Sequence, residues 1–128
     1  MSESASAPHA AALVAWLRER SHEIAALTET LARIESPSTD PSAQRAVHAQ
    51  LARRLEPLGY RARRQRLGDG EHLLLRPRRR GRGGGFSLLV GHSDTVWPHG
   101  TLARMPVRTA GVWLHGPGVF DMKAGLAL

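Results

Sequence analysis

The sequence predicts an α/β layer arrangement, with helices packed on a sheet. Three observations support it: two runs of apolar residues at helical spacing, two strand-like segments joined by Gly68-Asp69-Gly70, and a nearly continuous apolar run, Phe86-Ser87-Leu88-Leu89-Val90, set between glycines. With 128 residues the chain is long enough for one domain that buries roughly two-thirds of its unfolded surface. Its 41% hydrophobic and 23% charged content argues against both the disordered and the membrane-spanning classes. The absence of Cys removes disulfides and thiolate zinc sites, so any metal would have to be held by His and carboxylates.

Met1 to Pro8 is a short Ser/Ala stretch with no basic residue, and no later apolar run reaches membrane-spanning length; a soluble, cytoplasmic protein is expected. Leu13, Leu17, Ile24, Leu27, Leu31 and Ile34 recur at helical spacing and predict one long helix, or two collinear ones divided at the polar patch Arg18 to Glu23. Trp16 falls near the same apolar face and reads as core. Ser36-Pro37-Ser38-Thr39-Asp40-Pro41 stops the run, because each Pro disfavours helix in the residue before it. Asp40 is placed to cap a second helix with Pro41 in its first turn. Val47, Leu51, Leu55 and Leu58 supply that helix's buried stripe, and Gly59 suits a left-handed end.

Tyr60 to Leu67 and Glu71 to Arg76 read as a hairpin, followed by an Arg/Gly loop from Pro77 to Gly85. Phe86 to Val90 reads as a central strand buried on both faces. It ends at Gly91 with His92 next, and in α/β folds a site is expected where such a strand ends. Thr101 to Gly118 carries short alternating segments between Gly turns, and Asp121 to Leu128 begins a helical pattern.

The net charge of +7 is local: about +8 falls between Arg53 and Arg82, and all but one of the 18 basic residues are Arg, the exception being Lys123. Such density would serve a nucleic-acid or polyanion-binding module. Only Tyr60 accompanies these Arg as an aromatic, however, and no nucleic-acid motif occurs. A solvated edge hairpin whose charge discourages sheet-to-sheet pairing is the preferred reading.

Two constellations carry chemistry. In His92-Ser93-Asp94, residues two apart in an extended segment project to the same side, so imidazole and carboxylate can converge; neutral His is a good zinc ligand, and a ligating His usually gives its other ring nitrogen to a carboxylate or carbonyl. Taken alone, a local hydrogen bond is the commoner use of such a pair. In Gly116-Pro117-Gly118-Val119-Phe120-Asp121-Met122-Lys123-Ala124-Gly125, a Gly-rich turn delivers a carboxylate to the start of a helix; a carboxylate can bridge two cations, although capping the helix is the plainer role. His9, His22, His48 and His72 read as surface or hairpin positions, His99 and His115 as packed or solvated, and Trp97, Trp113 and Phe120 as wall or core.

Taken together, His92-Ser93-Asp94-Thr95-Val96, Trp97-Pro98, Gly116-Pro117-Gly118 and Asp121-Met122-Lys123-Ala124-Gly125 closely resemble the signature of the di-zinc hydrolases that include aminoacylase, acetylornithine deacetylase, succinyl-diaminopimelate desuccinylase and glutamate carboxypeptidase. Ile34-Glu35-Ser36-Pro37-Ser38 resembles the end of that family's first helix, and Trp97-Pro98 with Gly100-Thr101-Leu102 looks most like the glutamate carboxypeptidase branch. The resemblance implies an incomplete three-layer zinc-peptidase-like catalytic domain with a mixed sheet flanked by helices, residues 1–128 being its N-terminal portion without the dimerisation domain.

It further implies His92 as a ligand of one zinc, Asp121 as the carboxylate bridging two, and Asp94 as the residue that orients His92. Cobalt is the expected substitute metal. The implied reaction is hydrolysis of an amide next to a free carboxylate, on a small peptide or N-acyl amino acid, in an enzyme that is a homodimer when complete. The family's general-base Glu and remaining ligands fall beyond residue 128, so the chain alone is expected to be inactive. A non-catalytic remnant of the hydrolases is the remaining alternative.

Overall fold

The computed structural model describes residues 6–79 and 85–128. The expectations for the extreme N-terminus and for Arg80 and Arg82 of the basic loop lie outside the described residues. The apolar run from Leu13 forms two helices, α1 (Ser6–Glu19) and α2 (Ser21–Ala32), separated at Arg20, whose φ of -102° and ψ of 13° depart from helix. The division falls in the polar patch, where no apolar side chain ties consecutive turns to a core.

Only α2 reaches the interior. Leu31 and Val47 are fully buried, and with Leu51 they form the core against which Leu27, Ile34, Leu73 and Leu126 pack. Burying each such side chain stabilises the fold by roughly 1.5–3 kcal/mol. Trp16 is not core: it is 50% exposed, with the Arg20 guanidinium 4.2 Å above its ring. Helical spacing makes α1 amphipathic, but nothing among the described residues covers its apolar face.

Asp40 caps as its sequence context predicts, accepting a hydrogen bond from the Ser42 backbone N–H at 3.0 Å. Pro41–Ala43 makes a single 3₁₀ turn before α3 (Gln44–Leu55). This helix stops short of Pro57, which has no N–H to continue it, and Leu58 is therefore exposed rather than part of the stripe. Gly59, at φ +90°, turns the chain into β1 (Tyr60–Leu67). β1 pairs antiparallel with β2 (Gly70–Pro77), Leu67 facing Gly70 across a tight turn where Gly68 takes φ +58°. The Arg residues of the hairpin are exposed, and Glu71 pairs with Arg45 of α3 at 2.9 Å.

After this point the structure departs from the expected mixed sheet. The described residues hold two separate two-stranded antiparallel sheets, β1-β2 and β3 (Arg108–Ala110) with β4 (Trp113–His115). Phe86 to Val90 belongs to no strand; Leu89 is 95% exposed. Continuous apolar composition states that a segment needs cover on both faces but does not supply the neighbour, and no described strand lies beside it. Short pairing instead joins residues 36–38 to 93–95. Thr95 N–H donates to Ser36 O at 2.8 Å and Ser38 N–H to Thr95 O at 2.9 Å, around a parallel bridge between Pro37 and Thr95. A one-turn helix, α4 (Thr101–Arg104), and a π-type turn, Val119–Lys123, that leads into a terminal one-turn helix, α5 (Ala124–Ala127), complete the described elements. No described helix is long and apolar enough to cross a membrane.

Candidate functional site

The 36–38/93–95 strap brings the end of α2 beneath the His92 segment, and the turn from Gly116 to Lys123 closes over it. Gly118 makes that turn at φ +69°, and a Cβ there would collide with the Thr95 methyl group, so both the conformation and the close approach require glycine. Asp121 follows in an extended conformation (φ -124°, ψ 101°) ahead of α5, with a cis peptide bond to Met122. It is not the cap of α5; its carboxylate points at the histidine.

His92 Nε2 lies 2.8 Å from Asp121 Oδ1, although the two residues are 29 positions apart. On the other side of the ring, Nδ1 lies 3.1 Å from the Asp94 carbonyl oxygen and 3.3 Å from Asp94 Oδ1. Asp94 is held in turn by Ser38, whose hydroxyl donates to Oδ2 at 2.6 Å. This hydrogen bond is the main reason the Asp94 carboxyl sits below its ordinary pKa, with burial opposing it. His92 is raised, first by the hydrogen bond to Asp121, against some desolvation, and then by the Asp94 carbonyl. All three residues line a cavity of about 260 Å³ that Trp97 and Phe120 also border. Trp113, by contrast, is 70% exposed and walls nothing.

A buried polar layer supports this site. Lys123, 1% exposed, donates from Nζ to Ser36 Oγ at 2.6 Å and to the Ser93 carbonyl at 3.0 Å. Ser36 Oγ donates to the same carbonyl at 2.7 Å. Burial pushes the Lys123 ammonium down to about 8, with Asp94 opposing the shift. The Ser93 hydroxyl donates to Gln44 Oε1 at 2.9 Å and therefore accepts from His48 Nε2 at 3.0 Å. His48 is thus buried against the site loop and not a surface residue, and its Nδ1 has no hydrogen-bond partner among the described residues. Desolvation lowers its pKa, which favours the neutral ring. His99 is exposed and lies 3.1 Å from Asp40 Oδ2. Glu35, whose pKa is lowered mainly by the backbone N–H of Leu102 and then that of Gly100, caps α4 by accepting both at 2.8 Å.

The structure therefore gathers His92, Asp94 and Asp121 at one point. It also adds Ser36, Ser38, His48 and Lys123, to which the sequence assigns no role in the site. One signal for Lys123 was available: it is the lone Lys in a chain that otherwise uses Arg.

With a proton on Nε2 the His92–Asp121 contact is a hydrogen bond; as a donor set, a neutral His92 with its hydrogen on Nδ1 would instead present the Nε2 lone pair beside an Asp121 oxygen, two electron-pair donors that one cation could share. This fits zinc chemistry in kind and falls short in number. No group of three or more His, Cys, Asp or Glu disposed to hold a metal occurs among the described residues.

Over 103 residues, 78% of this chain, the sequence is 35% identical to carboxypeptidase G2 of Pseudomonas sp. (strain RS-16). The chain is related to a carboxypeptidase. It spans 24% of that relative's length. No protein-family model matches it. The relationship supports a hydrolase family and does not favour the polyanion-binding reading of the Arg-rich hairpin.

Proposed function

We propose that this chain carries part of the metal centre of a zinc-dependent hydrolase that cleaves amide or peptide bonds of C-terminal residues or N-acyl amino acids. The observation that carries the reading is the meeting of His92 Nε2 and Asp121 Oδ1 at 2.8 Å, with the other ring nitrogen held by Asp94. His92 and Asp121 would be the ligands, and Asp94, fixed by Ser38, would hold the tautomer that leaves Nε2 free to bind. Bound zinc supplies a Lewis acid for the scissile carbonyl and a water acidic enough to ionise near neutral pH. The chain's own residues fix where that chemistry happens: the Asp121 turn and the His92 loop set the two donors, and Trp97 and Phe120 border the space left for a substrate. Two protein donors do not complete a tetrahedral zinc. Residues 1–128 alone therefore bind zinc weakly and do not hydrolyse substrate.

The test is titration of the chain with zinc and with cobalt, whose absorption bands report coordination, beside His92→Ala and Asp121→Asn. Each substitution is expected to weaken binding at least about tenfold, and Asp94→Ala by about 10–100-fold. Equal affinity in His92→Ala would refute the ligand assignment. About two zincs per chain surviving dialysis would refute the incompleteness of the centre.

A further inference from the structure

Lys123 has no role in the chemistry above, yet it is the largest of the fully buried side chains, and among the described residues no carboxylate lies within ion-pair distance of its Nζ. A buried ammonium is costly to desolvate and persists where its hydrogen bonds fix something. Both of its bonds end on the site's supports. One is to Ser36 Oγ at the end of α2; the other is to the Ser93 carbonyl, the peptide oxygen between His92 and Asp94. The side chain itself springs from the residue two after Asp121. A single group thus ties the segment bearing His92 and Asp94, the segment bearing Asp121, and the helix end beneath them.

We infer that Lys123 is a positioning residue: its ammonium pins the Ser93 carbonyl and Ser36, and so holds His92 and Asp121 in register for one shared cation. The inference rests on the metal-site reading above. Among the described residues no Arg is buried, whereas this position needs a slim stem and a compact three-donor head rather than a planar fork. That accounts for the one Lys among 18 basic residues.

The experiment uses the full chain with ¹⁵N-labelled His and Lys. In the unmutated protein, the Lys123 ammonium protons should exchange at least about tenfold more slowly than those of free lysine. Exchange at the free rate overturns the inference without any substitution. Lys123→Met keeps the apolar stem and removes the three donors. The amide spectrum of α2, α3 and the hairpin should persist, while the His92 ring-nitrogen shifts move toward those of an unpaired imidazole and zinc affinity falls about tenfold. A folded Lys123→Met with unmoved His92 shifts overturns the inference. Should that variant fail to fold, Ser36→Ala removes one anchor and leaves the ammonium in place. It should speed ammonium exchange and shift the His92 ring, and no change in either overturns the pin. Zinc binding by the unmutated chain tests the metal reading separately, since the ring shifts report His92 placement whether or not zinc binds.

Discussion

Ser93→Ala should be among the costliest substitutions for its size, because the 7% exposed Ser93 hydroxyl is the only link between α3 and the site loop that satisfies two partners at once among the described residues. It accepts from His48 Nε2 and donates to Gln44 Oε1. Losing two neutral hydrogen bonds costs about 1 kcal/mol each, and stranding the buried His48 N–H adds about 1–3 kcal/mol. Gln44 is half-buried and recovers part of its loss from water, so about 2–4 kcal/mol is expected. Urea unfolding followed by far-UV circular dichroism reads this as a lower midpoint at constant slope. Repeating it in a His48→Leu background, where the imidazole is already gone, should shrink the penalty to about 1 kcal/mol or less, that of the Gln44 hydrogen bond alone. A cost below about 0.5 kcal/mol, or the same cost in both backgrounds, would show that the His48–Ser93 contact does not anchor the loop.

Gly118→Ala should destabilise by about 2–4 kcal/mol, combining the left-handed conformation with a collision against Thr95, and thermal melting checks it; a melting point unchanged within a degree would contradict the packing described. Trp16→Ala should cost under about 1 kcal/mol, the worth of an exposed cation–π contact, whereas Leu31→Ala should cost about 2–5 kcal/mol; chemical denaturation of both distinguishes an exposed α1 from a core one. The Asp40 carboxyl is held down to about 2, first by the Ser42 hydroxyl and then by His99. A folded pKa below the unfolded one contributes stability that is present above the ordinary value of 3.8 and lost as pH falls through about 2. Ser42→Ala should raise the midpoint toward the ordinary value, as a carboxyl ¹³C titration would show, and an unmoved midpoint would assign the shift elsewhere.

Where local chemistry decides structure, the sequence was legible. The Asp40 cap, the Gly68 turn and the α2/α3 stripe meeting at Leu31, Val47 and Leu51 each depend on residues a few positions apart. The convergence of His92, Asp94 and Asp121 was expected from a resemblance and is seen as geometry, although periodicity alone offered no reason for residues 29 positions apart to touch. What was misread depends on partners far along the chain. Trp16 and Phe86 to Val90 have the right composition for burial but no described apolar partner to bury them, while His48 looks like a polar helix residue and is buried because Ser93 reaches back to it. Lys123 stands out in the sequence as the lone Lys, but its burial depends on Ser36 and the Ser93 carbonyl, which lie far along the chain.

The bare apolar stretch from Phe86 to Val90 also bears on how the protein behaves in concentrated solution. Five consecutive residues without charge or proline, with Phe86 90% and Val90 81% exposed, offer backbone donors and acceptors to any similar stretch on another molecule. Directly upstream the sequence places Arg78, Arg79, Arg80 and Arg82. Like charges at that density repel when two copies approach in register, so the arginines act as gatekeepers of the adjacent sticky segment. The guard is electrostatic, and added salt screens it over shorter distances. Solubility should therefore fall as ionic strength rises, which turbidity measured against salt concentration would show.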